Sequence, residues 1–299
     1  MANRPQRRHF RARDEEVLSA IGRVPLTAPQ LLKLSATFEQ PFGSERMVRE
    51  RLQALGAAGW VRWSRYATIS GGAAPKYFFL SPRGYRLLHG PEAVPPKRTC
   101  LPLPITRHRH TQALAEFLVH LTTAAHAQDI RLVNFYGENT LRLNVDGESL
   151  FPDSAFDLEL PASALDPELP DSRQFHFLVE IDRSTERIWS PQDLDSWQRK
   201  VRLYDRLQDM NAPDRFRVLV VGTRSRQRVE HILGAAKELM RNPKRSLFYG
   251  ITLAEFLATA YAATGPCFRD HFLQPVSLLA ERRQATGTTA GLPRDENDE

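Results

Sequence analysis

Cysteine is nearly absent. The 299-residue sequence has two, Cys100 and Cys267, and neither has a second cysteine at CxxC spacing. That argues against a zinc ribbon or a disulfide framework and fits a reducing, cytoplasmic setting. Long apolar runs are missing too: no stretch reaches the roughly 18 residues of a membrane span, so no membrane association is expected. The opening MANRPQRRHFRAR is basic but lacks the apolar segment of a secretion signal. Acid is scarce at one end. The first 90 residues hold 15 Lys and Arg against 6 Asp and Glu, whereas the other 209 hold 26 against 29. The net charge of +6 therefore comes from one part of the chain, which is suited to meet a polyanion and favours nucleic acid over general stickiness.

What is present reads as five segments. Residues 1–13 form a basic arm, either lying along phosphate or serving as a disordered tail. Residues 14–90 carry three helix patterns followed by two short strands. Asp14 is expected to cap the first helix, Thr27 the second and Ser44 the third, with Gly59 stopping the third. In that third helix Met47, Val48, Leu52 and Leu55 make the apolar stripe and Arg51 is expected on an outer face. Trp60–Trp63 and Tyr77–Leu80 read as strands joined by a Gly-rich tip, and Ser81 starts one last helical turn. This is the order of a winged helix-turn-helix. Its third helix would present Ser44, Glu45, Arg46 and Arg49 to the major groove of double-stranded DNA, with Arg65 and Lys76 beside the wing as phosphate contacts. The alternative use of such a unit is protein docking.

Residues 91–105 are proline-rich and read as a semi-rigid linker. From 106 to 280, strand and helix patterns alternate, as in a layered α/β domain. Thr111 onward is a helix with Leu114, Phe117, Leu118 and Leu121 on its packed face. His108 and His110 at its start are expected to serve helix-end or phosphate contacts rather than a metal. Glu138, at the end of the strand Arg131–Tyr136, either borders a site or sits in a turn. A last strand is expected near Leu247–Tyr249, and Arg224, Arg226 and Arg228 are expected on a solvated helix face or beside a DNA path. Residues 281–299 are poor in apolar residues and expected to be disordered.

The stretch 150–204 concentrates the chemistry. In LFPDSAFDLEL, alternation puts Phe156, Leu158 and Leu160 on one face and Asp153, Ala155, Asp157 and Glu159 on the other. In FHFLVEID, Phe175, Phe177, Val179 and Ile181 oppose His176, Leu178, Glu180 and Asp182. Each strand is expected to have one packed and one unpacked face. If the two pair, Asp153 comes near Glu180 and Asp182, and carboxylates so gathered favour a hard divalent cation, Mg²⁺ or Mn²⁺, over mutual repulsion. Lys200, on the next helix, would then lean over the sheet as a charge-stabilising ammonium. The alternative is a solvated acidic strand pair.

Pro152-Asp153, Glu180-Ile181-Asp182-Arg183 with Ser184-Thr185-Glu186, and Lys200 with Tyr204 together resemble the replication-relaxation family of plasmid and mobile-element proteins. The resemblance runs from the first helix to the last strand. It implies a second domain similar to the PD-(D/E)xK nuclease fold, with an αβββαβ core following the winged helix, and an acidic residue such as Glu116 reaching the site. It further implies a metal-dependent DNA nuclease or DNA-processing factor, with Asp153, Glu180, Asp182 and Lys200 catalytic and Asp153 and Glu180 on the metal. Arg183 and Tyr204 would contact phosphate or brace the carboxylates. The motif departs from the nuclease pattern at Asp182, where that pattern has lysine; Lys200 on the helix would take its place. Alternatives are a catalytically silent DNA-binding accessory that works with replication or mobilisation proteins, and a transcription regulator.

Overall fold

Alternating and helical patterns resolve into eight α-helices and twelve β-strands among the described residues of a computed structural model. It describes residues 10–67, 74–96, 99–138, 140–160, 173–190, 192–193, 195–211 and 215–279. The wing tip, most of the arm, the loop 161–172 and the tail from 280 lie outside the described residues.

The first ninety residues form α1 (Ala12–Arg23), β1 (Leu26–Thr27), α2 (Ala28–Leu34), α3 (Glu45–Ala57), β2 (Val61–Arg65), β3 (Lys76–Leu80) and α4 (Pro82–His89). The strands make a three-stranded antiparallel sheet in the order β1-β3-β2. Local chemistry sets most of the boundaries. Thr27 Oγ1 accepts from Gln30 N, Ser44 Oγ from Met47 N and Ser81 Oγ from Gly84 N, each occupying an N–H that the first turn leaves without a helical partner. Gly59 ends α3 at φ 78°, a left-handed conformation that a side chain would strain.

Four expectations are corrected in this part. Asp14 does not cap α1. The N-cap is Arg11, and Asp14 sits on the third helical residue, where it accepts from Arg11 N at 2.7 Å. Its carboxylate is fully buried because Arg51 of α3 reaches across to pair with it, so Arg51 is a helix-to-helix tie and not an outer-face residue. Met47 is 44% exposed, and the buried stripe of α3 is Val48, Leu52 and Leu55. The helix after Ser81 is also longer than a single turn, with eight residues.

The remainder comprises α5 (His108–His126), β4 (Arg131–Tyr136), β5 (Leu143–Val145), β6 (Glu148–Leu150), β7 (Ser154–Leu160), β8 (Arg173–Asp182), α6 (Trp197–Met210), β9 (Phe216–Gly222), α7 (Arg226–Leu239), β10 (Phe248–Thr252), α8 (Leu253–Leu257), β11 (Phe268–Asp270) and β12 (Pro275–Val276). Seven strands form one mixed sheet in the order β12-β11-β10-β9-β8-β7-β4. β4, β7 and β8 are antiparallel neighbours, β9 and β10 run parallel to β8, and β11 and β12 return antiparallel. The chain thus continues past the last strand expected from sequence, and a small β5-β6 hairpin interrupts the meander.

Side-chain alternation in β7 and β8 follows the sequence pattern, but both faces are packed. Phe156, Leu158, Phe177, Val179 and Ile181 face α5 and α8 in one core. Ala155 and Leu178 face α6 and α7 in a second, with Trp197, Tyr204 and Val229. The polar-looking face is therefore covered by an amphipathic helix pair that strand alternation alone does not announce. The first core does not stop at the sheet: Leu18, Ile21, Leu31 and Leu55 of the N-terminal helices join it through Leu114, Phe117 and Leu118 of α5. Lys33 of α2 sits 2.9 Å from His120 Nδ1 of α5, and His120 Nε2 donates to the Thr259 carbonyl at 2.9 Å. Burial first, then the neighbouring Lys33, lowers the His120 pKa and favours the neutral ring that these contacts need. Within the proline-rich stretch, Leu103 packs on Tyr66, Tyr77 and Phe79.

Candidate functional site

The β7–β8 register pairs Ser154 with Val179, so Asp153, one residue earlier, stands opposite Glu180. The Asp153 backbone N–H donates to the Val179 carbonyl at 2.9 Å, and its Oδ2 accepts from Ile181 N at 2.8 Å. These bonds fix the carboxylate at the end of the sheet. Its other oxygen meets His110 Nε2 at 2.8 Å. Burial alone would raise the Asp153 pKa; the His110 contact, Lys200 and the Ile181 N–H outweigh it and hold the carboxyl below its usual value.

His110 comes from the first turn of α5 and Glu138 from just beyond β4. Their ligand atoms and that of Asp153 lie within 4.8 Å of one another. A bulge between Val133 and Tyr136 bends the end of β4, and Asn134 there takes φ 49° while its amide donates to Asp157 Oδ2 at 2.7 Å. That bend carries Glu138 back toward the start of α5, where it pairs with Arg107 and lies 3.8 Å from His110. The three side chains are 12–17% exposed. His110 Nε2 and Glu138 Oε1 are shut off from solvent with no well-directed hydrogen bond. An imidazole and two carboxylates converging from three elements are a donor set that fits a divalent cation.

Glu180 lies deeper. It is 2% exposed, accepts from Lys200 Nζ at 2.8 Å and from the Tyr204 hydroxyl at 2.5 Å, and burial pushes its carboxyl up to about 7. Lys200 also holds Glu186 at 2.9 Å. Burial would lower the Lys200 pKa, but Glu180, Glu186 and Asp153 outweigh it and keep the ammonium charged. Tyr204, fully buried beside these acids, has its phenol pKa raised well above the usual value and remains a donor.

Asp182 is used differently from the sequence expectation. It accepts from Trp197 Nε1 at 3.0 Å, from Arg228 Nε and Nη2 at 3.1 and 3.0 Å, and from Ser184 N at 3.0 Å. With its side chain fully buried it anchors α6 and α7 to the end of β8. Arg228 is accordingly no solvated residue, and Arg226 pairs with Glu255. Arg183 stays partly exposed and its Nη1 donates to the Thr106 carbonyl at 3.1 Å.

The sequence alone assigns His110 to a helix-end or phosphate contact and leaves Glu138 between a site and a turn; the structure places both with Asp153. The available signal was His110 three residues into the helix that precedes the meander, which is not specific by itself. His108 is structural: its Nδ1 accepts from Ala67 N at 2.8 Å, and its Nε2 lies 3.1 Å from the Leu103 carbonyl. Glu116 accepts from Gln112 at 3.2 Å and is no member of the ligand group among the described residues. In the N-terminal part, Ser44 is spent as a cap, Arg46 pairs with Glu50 at 2.8 Å, and Arg49 pairs with Glu45 at 2.5 Å. A groove of about 1150 Å³ between α3 and the hairpin is lined by Arg49, Leu52, Trp63, Arg65, Lys76 and Phe78. Lys76 Nζ stacks 4.3 Å over the Trp63 ring, and Arg65 donates to the Ala74 carbonyl at 3.2 Å.

These features define a mixed α/β protein with a histidine–carboxylate cluster and a charged lysine at the end of a seven-stranded sheet. The chain belongs to the replication-relaxation family, whose profile matches residues 22–217. No curated protein and no solved structure matches it. Membership points to a role in replication of plasmids and mobile elements. No helix among the described residues is long and apolar enough to cross a membrane.

Proposed function

We propose that this protein binds double-stranded DNA through a winged helix formed by α1 to α4 and hydrolyses it at the His110–Glu138–Asp153 cluster. The observation that carries the reading is the convergence of those three side chains from separate elements, with the Lys200 ammonium behind Asp153. The order α5, β4-β7-β8 meander, α6 and β9 supports an αβββαβ nuclease-like core. The helix-strand-helix-helix-hairpin order of the first ninety residues, with β1 completing the hairpin sheet, supports the winged helix.

His110, Glu138 and Asp153 would hold the ion, and the imidazole favours Mn²⁺ over the strictly oxygen-liking Mg²⁺. When bound, a divalent ion supplies Lewis acidity toward a phosphoryl oxygen and lowers the pKa of a coordinated water. The chain contributes the rest. Asp153, held ionised, keeps a ligand charge available at neutral pH. Lys200, fixed by Glu180 and Glu186, places a positive charge next to Asp153 where negative charge accumulates on phosphorus-bound oxygens. Tyr204 orients Glu180 through its hydroxyl.

A second reading is favoured by one observation: Glu180 and Asp182 are both fully engaged, by Lys200 and Tyr204 and by Trp197 and Arg228. A site so occupied suits a DNA-docking accessory that works with replication or mobilisation proteins. Incubation of the purified protein with supercoiled plasmid and Mn²⁺ or Mg²⁺ separates the two. Nicked or linear product that disappears in His110→Ala and in Asp153→Asn supports hydrolysis. DNA binding without product in either metal supports the accessory. For the DNA-binding face, Arg49→Ala with Lys76→Ala should weaken duplex binding and leave the thermal melt in place; unchanged affinity would remove the groove beside α3 from the interface.

A further inference from the structure

β8 and β9 run parallel and end together, Asp182 against Gly222. The Asp182 carbonyl accepts from Thr223 N at 2.9 Å and from Thr223 Oγ1 at 3.2 Å, so Arg183, just past β8, and Arg224, two residues past β9, leave the same edge of the sheet side by side. Ser184 follows at φ 59°, a left-handed turn that a non-glycine residue adopts only under constraint from its surroundings. The bond from Arg183 to the Thr106 carbonyl then brings this edge against the start of α5, where Arg107 and Arg109 precede His110.

The acids nearby are already matched. Glu138 has Arg107, Asp153 has His110, Asp182 has Arg228 and Glu186 has Lys200. Among the described residues Arg109, Arg183 and Arg224 make no ion pair, which leaves three guanidiniums in surplus at one spot. Burial, then repulsion from Arg109, Arg224 and Arg107, holds the Arg183 pKa below its usual value. Both α5 and α7 begin at this edge, so the positive ends of the two helix dipoles add to the potential there. Surplus like charge beside a carboxylate–histidine cluster is a liability in the empty protein and an asset once an oxyanion arrives.

We propose that Arg109, Arg183 and Arg224 form a phosphate-binding subsite that seats one phosphate group of a nucleic-acid strand next to the His110–Glu138–Asp153 cluster. This rests on the reading of that cluster as a DNA-acting site and deepens it by naming where the substrate's phosphate is held. A planar guanidinium matches a phosphate with two parallel hydrogen bonds, so lysine is a poor replacement here.

The test uses the full chain in EDTA, so that binding is read without turnover. Fluorescence anisotropy follows a labelled duplex carrying either a 5′-phosphate or a 5′-hydroxyl, for the native sequence and for Arg183→Gln with Arg224→Gln. Affinity should fall about tenfold in the double variant, and the slope of log K against log salt should become shallower by about 1, the share of one phosphate. Equal loss on both duplexes identifies an internal phosphodiester as the bound group; loss confined to the 5′-phosphate duplex identifies a strand end. Inorganic phosphate should raise the Tm of the native chain and do so less in the variant, whose own Tm should change little, the lost Thr106 bond being offset by relief of repulsion among the arginines. Unchanged affinity and slope, with equal phosphate stabilisation, would overturn the proposal. A protein that binds in this way but never cuts keeps the subsite and loses only the nuclease reading.

Discussion

Lys200 Nζ lies 2.8 Å from Glu180 Oε2, and the glutamate has 2% of its side chain in contact with solvent. Because Glu186 shares the same ammonium, Lys200 is, among the described residues, the only side-chain cation paired with either the buried Glu180 or the half-buried Glu186. Removing it leaves carboxylates that must protonate or repel.

Lys200→Met should therefore destabilise the protein by about 3–5 kcal/mol, the usual consequence of stranding a buried partner. Adding Glu180→Gln should recover part of that loss. A double-mutant cycle by urea denaturation reads the coupling, expected at about 1–3 kcal/mol for groups in one network. Strict additivity would mean that the pair contributes nothing beyond its separate groups.

Asp182→Ala should act on stability and not on metal binding. It strands Arg228 and leaves the Trp197 indole N–H without its acceptor, a loss on the order of 3–5 kcal/mol. Calorimetric titration with Mn²⁺ at a temperature where the variant is folded should give the native affinity. His110→Ala and Asp153→Asn should instead lose Mn²⁺ binding by tenfold or more with smaller changes in Tm. If Asp182→Ala abolishes Mn²⁺ binding in a folded protein, Asp182 is a ligand.

Acidity enters through Glu180. Its carboxyl, raised by burial from 4.5 to about 7, keeps a proton in the folded state that the unfolded chain has released. The stability from this group is fully present below pH about 4.5 and is lost as pH rises through about 7. The Tm of the native chain relative to Glu180→Gln should fall across that interval and level off above it. A flat difference from pH 4 to 8 would show that Glu180 titrates normally.

In the N-terminal part the ion pairs rank by burial. Arg51→Ala leaves Asp14 fully buried and unpaired, and should lower stability by about 3–5 kcal/mol. Arg46→Ala breaks an exposed pair with Glu50 and should leave the Tm unchanged while weakening duplex binding. Equal Tm for both variants would mean that the Asp14–Arg51 tie is not made in solution.

Much of the local order follows from residue types alone. Thr27, Ser44 and Ser81 cap helices as their side chains dictate, Gly59 ends α3, and alternation assigns Asp153 and Glu180 to one face of paired strands. Those are short-range effects, set by neighbours within four residues or by a period of two. Which acid serves which cation was decided only in three dimensions. Asp182 and Glu180 are chemically alike and two residues apart, yet one anchors helices and the other holds Lys200, because α6 delivers Trp197 to the first and Tyr204 to the second. His110 became a candidate ligand only because the β4 bulge and the start of α5 carry Glu138 and the imidazole to Asp153 across 15 and 43 residues of chain. Such convergence depends on how layers pack, and no local pattern in the chain encodes it.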